Sequence, residues 1–105
     1  MVPTSLGADE PGTSELSRSV LEASRVIVDD LALVTTSGAL GTAGLAQNAA
    51  DGTLSDVLRG VIPAHVQGPS VYTPVGLPWQ DLALAWELYT AAARAGTGTH
   101  LDLLA

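Results

Sequence analysis

Cysteine is absent from the 105 residues, so the chain has no disulfide and no thiolate nucleophile or metal ligand. Phe is absent too, and the only aromatic residues are Tyr72, Trp79, Trp86 and Tyr89. Positive charge is scarce: Arg18, Arg25, Arg59 and Arg94 stand scattered against 11 acids, for a net charge of −7. No basic patch exists to neutralise a phosphate backbone, which excludes nucleic acid as an expected partner. An anionic membrane surface is disfavoured on the same ground. No run reaches the roughly 18 apolar residues needed to span a bilayer. The N-terminal "MVPTSLGADE" lacks the basic start and apolar stretch of a signal peptide. His65 and His100 lie far apart and neither sits in a local ligand motif, so no metal is expected. A cytoplasmic protein is the default expectation.

Ala, Leu, Val and Gly dominate what is there, a globular rather than disordered composition. The length allows one domain or less, with a thin core. Val2 to Leu6 is a weak strand that Pro3 confines to an edge or a strand start, and Gly7 to Gly12 is a loop. Ser17 is placed to cap a helix from Arg18 to about Ser24, with Val20, Leu21 and Ser24 inward or at its margin. Val26, Ile27 and Val28 form an unbroken β-branched run, which suits a strand buried on both faces of a parallel sheet. A helix over Leu31 to Ser37 then stops at Gly38, and the Ala/Gly-rich stretch after it is a short helix or a loop. Leu54, Val57 and Leu58 take helical spacing, ended by Gly60. Val71 to Thr73 is a short strand within a Pro/Gly-rich stretch. Pro78 opens a long helix, about Trp79 to Ala95, because its missing amide would have been unpaired anyway. Leu82, Trp86, Tyr89 and Ala93 form one stripe of it and Leu84, Leu88 and Ala91 the other, so it is expected to be covered on most sides. Alternating strands and helices predict an α/β fold with a parallel sheet.

The candidate chemistry is sparse. "GALGTAG" and "GTGTHL" are not strand–glycine–helix fingerprints, so they read as helix ends and loops. No G-x-S-x-G elbow is present, and the histidines read as ordinary surface or satisfied residues. Asp29 and Asp30 close a buried strand, where parallel α/β sheets place their ligands. The alternative is that they cap the next helix. Asp9 also follows a strand, and on spacing alone it is either an Asx turn or a group presented to a ligand.

Three stretches in order, "LGADEPGTSEL", "VIVDD" and "YTPVGLPWQDLALAWELY", resemble the C-terminal third of the ornithine cyclodeaminase/mu-crystallin family. That resemblance makes residues 1–105 a single partial Rossmann-like domain: a parallel sheet, flanking helices and a long C-terminal helix. It implies NAD or NADP as the family's cofactor, in enzymes such as ornithine cyclodeaminase, alanine dehydrogenase and ketimine reductases. By the same resemblance Asp9 matches the catalytic aspartate and Val75 falls in the segment near the nicotinamide. Several positions depart from the family pattern. Thr13 stands for Lys, Tyr72 for Phe and Pro74 for Ser, while Pro78 and Trp79 replace small or aliphatic residues. The loop from Gly60 to Tyr72 is short for the family, and neither the glycine fingerprint nor the substrate domain lies in these residues. The expectation is therefore a chain that does not hold NAD(P) tightly or turn over substrate alone. The alternative is a non-catalytic interaction module, forming a homodimer or completing a separately encoded N-terminal chain.

Overall fold

The computed structural model describes residues 12–105, so Asp9 and the strand expected over Val2 to Leu6 lie outside the described residues. The elements are α1 (Arg18–Glu22), β1 (Arg25–Val28), α2 (Leu33–Thr36), α3 (Ala39–Thr42), a 3-10 turn (Gln47–Ala49), β2 (Gly52–Thr53), α4 (Leu54–Leu58), β3 (Ser70–Tyr72) and α5 (Pro78–Ala95). The three strands form one parallel sheet in the order β2-β1-β3. The β-branched run thus takes the centre, as its pattern requires.

Register sorts the side chains. Val26 pairs with Val71 and Ile27 with Tyr72, so Val26, Val28 and Val71 share one face while Ile27 and Tyr72 share the other. On the first face Leu21 of α1, Val34 of α2 and Leu40 of α3 close over the valines, and all six are essentially buried. On the second face lie Leu54 and Val57 of α4, beside Ile27 and Tyr72. The chain goes from β1 to β2 by α2 and α3, then returns by α4 past β1 to β3. The two connections run in opposite directions and lie on opposite faces, as right-handed crossovers demand. Asp51 fixes where β2 starts: its amide donates to the Val26 carbonyl at 2.8 Å and its Oδ2 accepts from the Val26 amide at 2.8 Å.

Local chemistry sets the helix ends. The Ser17 hydroxyl accepts from the Val20 amide, capping α1 as expected. Thr53 and Asp56 form a reciprocal capping box at α4. The Thr53 amide, and then its hydroxyl, hold the Asp56 carboxyl below its usual pKa. Gly38 does not stop α2. Ser37 is the C-cap, and Gly38 begins α3 with extended backbone. The Ala/Gly stretch is glycine-rich for packing, since a Cβ on Gly41 would sit 2.1 Å from the Thr35 carbonyl oxygen. The neighbour is backbone and cannot rotate away. Gly41→Ala should therefore cost about 1–3 kcal/mol, measured as a lower urea midpoint with little change in slope.

Helix α5 starts at Pro78, with the Gln80 Oε1 accepting from the Leu77 amide at 3.1 Å. It ends at Gly96 in the left-handed region. Its burial differs from expectation. The helix has no buried residue, and Trp79, Leu82, Leu84, Trp86 and Leu88 are each at least 58% exposed. An apolar circumference predicts burial only where other elements surround the helix. Here only the Leu77 side chain ahead of it is buried.

Candidate functional site

In an open parallel sheet the ligand crevice lies beyond the carboxyl ends of the strands, where the strand order reverses. Here that point falls between β1 and β3. Asp29 follows β1 immediately, and the loop Thr73–Leu77 follows β3.

Adjacent carboxylates at the end of β1 do different work. Asp30 caps the turn into α2, its Oδ1 accepting from the Ala32 and Leu33 amides at 2.8 Å each. That is the capping alternative. Asp29 does not cap. It reaches across the crevice, where its Oδ1 accepts from the Val75 amide at 3.0 Å and its Oδ2 from the Gly76 amide at 2.8 Å. It also accepts from the Asp30 amide at 2.9 Å. Capping is therefore the wrong role for Asp29. Both stand just past the end of β1, and their side chains take different backbone donors.

The loop's amides can be accounted for one by one. Thr73 donates to the Ile27 carbonyl at 3.0 Å, Val75 and Gly76 to Asp29, and Leu77 to Gln80. Pro74 and Pro78 have none. Gly76 takes φ +95°, a conformation that favours glycine. Val75 is thus placed at the strand ends by a fully bonded loop. It offers its side chain and its carbonyl, and its amide is already taken.

Two further groups belong to this edge. Tyr72 ends β3, and burial first, then the charge of Asp29, push its phenol above its usual pKa. Thr73 is 1% exposed and its hydroxyl has no partner among the described residues. Outside the loop an open groove of about 260 Å³ is lined by Asp29, Leu77 and Trp79 together with Leu54, Leu58 and Arg59. Of the remaining candidates, His65 lines a separate cavity beside Ile27 and Val57 and not this groove, and His100 is exposed beyond α5.

A model of the ornithine cyclodeaminase/mu-crystallin family matches residues 4–96. The chain belongs to this family. Among solved structures it is similar to an archaeal alanine dehydrogenase dimer with bound NAD, at TM-score 0.84 and 23% identity, covering 99% of this chain and 34% of that one. It is also similar to CmnK, at TM-score 0.70 and 30% identity, covering 98% of this chain and 36% of that one. The chain therefore spans about a third of the length of either structure. No curated protein matches it. The α/β, Rossmann-like parallel sheet with flanking helices and a long C-terminal helix agrees with the fold of the dehydrogenase.

Removing the Asp29 carboxylate leaves two amides unpaired. Asp29→Ala should lower stability by about 1–3 kcal/mol and should speed hydrogen exchange at Val75 and Gly76. Asp30→Ala should cost about 1 kcal/mol and leave those two amides protected. Residue-resolved amide exchange separates the two roles.

Proposed function

We propose that this chain forms one flank of the NAD(P) site in an enzyme of the ornithine cyclodeaminase type. In this reading Val75 borders the nicotinamide and Asp9 is the catalytic carboxylate. The observation that carries it is the rigid loop set by Asp29 at the reversal of strand order, which is where dinucleotide folds meet their ligand. The cofactor, when bound, supplies hydride chemistry. The chain's own part is to fix the wall at Val75 and to take up or deliver a proton at the Asp9 carboxylate. General-base work of that kind is worth ~10²–10⁴-fold in rate.

The residues present fit this flank and not the phosphates. A pyrophosphate needs unpaired amides at a helix start. After β1 the amides of Ala32 and Leu33 are held by Asp30, and at the cap of α4 the Thr53 amide is held by Asp56 and the Asp56 amide by the Thr53 hydroxyl. After β3 Asp29 holds Val75 and Gly76. Each strand end among the described residues carries a carboxylate of the chain itself, whose charge also repels phosphate. Calorimetric titration of the 105-residue chain with NADH and with NADPH should show no micromolar binding. A micromolar Kd for either overturns the division of the site proposed here. In any complex that gains NAD(P)H-linked turnover by adding this chain, Asp9→Asn should lower kcat by ~10²-fold or more; unchanged turnover removes Asp9 from the mechanism.

A second reading rests on α5. The helix is about 27 Å long at 1.5 Å per residue, and it presents Trp79, Leu82, Trp86 and Tyr89 to solvent along one stripe. Trp86 and Tyr89 stack with ring centroids 5.6 Å apart. The radius of gyration is 17.5 Å, against about 13 Å for a compact chain of this length. Apolar surface of this extent marks an attachment site, whether to a second copy or to the remainder of an enzyme. Sedimentation velocity should show self-association that Trp86→Glu weakens. A monomer at high concentration, unchanged by that substitution, counts against attachment through α5.

A further inference from the structure

We propose that the second face of the sheet carries a binding site for a small apolar monocarboxylate, beside the groove at the strand ends and sharing Leu54 with it. Between that face and the segment after α4 lies a half-enclosed cavity of about 200 Å³. Ile27, Leu54, Val57 and Val66 give it apolar walls, and Arg25 and His65 line it as well. Its volume falls below the roughly 300 Å³ at which drug-sized sites begin, so the occupant is a short branched or aromatic acid.

The charge argument rests on Arg25. Arg18 is paired with Glu22. Arg59 has the charge of Asp56 beside it. Arg94 stands in the last turn of α5, where the helix dipole favours a cation. Arg25 has no carboxylate within ion-pairing distance among the described residues, although the chain carries a net charge of −7. Its guanidinium donates to the Pro63 carbonyl, which ties the outer wall of the cavity to β1. A guanidinium has five N–H donors in a fork that fits a carboxylate, and this bond uses one of them. The half-buried cation at an apolar cavity therefore selects a ligand with one carboxylate and an apolar body.

Nitrogen–proton NMR titration with phenylacetate or isocaproate tests this, with phenethyl alcohol as the uncharged control. Saturable shifts are expected at Ile27, Leu54, Val57 and residues 64–72. The alcohol should bind at least about tenfold more weakly, the difference expected for a hydrogen bond to a charged group. Arg25→Met should lose a similar factor for the acids and little for the alcohol. Absence of saturable shifts, equal affinity for acid and alcohol, or unchanged acid binding in Arg25→Met would each overturn the proposal. If Arg25→Met does not fold, the acid–alcohol comparison on the unaltered chain decides. NAD(P) binding and Asp9 play no part in this readout.

Discussion

The arrangement at the strand ends depends on one carboxylate accepting from two amides across a crevice. Asp29 comes from the central strand and Val75 and Gly76 from the loop after an outer strand. The contact joins segments 46 and 47 residues apart where the winding of the described strands reverses. Charge-assisted bonds of this kind are roughly twice as strong as neutral ones. Without it the loop's direction, and with it the start of α5, would rest on the buried Leu77, two prolines, the Thr73 bond to Ile27 and the Gln80 cap.

The same edge shows a division of labour between carboxylates. Asp29, Asp30 and Asp56 each satisfy backbone donors beside the end of a strand. Such donors at a helix start attract any anion, and an internal Asp competes for them at very high effective concentration. The strand ends here are therefore rigid and negatively charged.

Much of the scaffold was legible from residues alone. The Val26–Val28 run, the Ser17 cap, Pro78 as a helix start and Gly96 as its stop each depend on local stereochemistry, and local stereochemistry is written in adjacent residues. Strand β2 was not legible, because Gly52–Thr53 has no strand pattern and exists through pairing with β1. The roles of Asp29 and Asp30 were not separable either, since which neighbour reaches across depends on strand direction and on a loop over forty residues away. The exposure of α5 was misjudged for a related reason: apolar residues state what a helix requires, and its surroundings are a tertiary matter. The glycines of "GALGTAG" were read as helix ends and loops, whereas Gly41 lies within α3 where two short helices touch.

One consequence follows from the loop flanked by Pro74 and Pro78. Its backbone freedom has been removed in advance, by two rings that fix φ and by a clamp on the amides between them. A molecule arriving at this edge loses little entropy in ordering the loop and gains no induced fit from it. The position of Val75 is therefore set by the chain's own bonds.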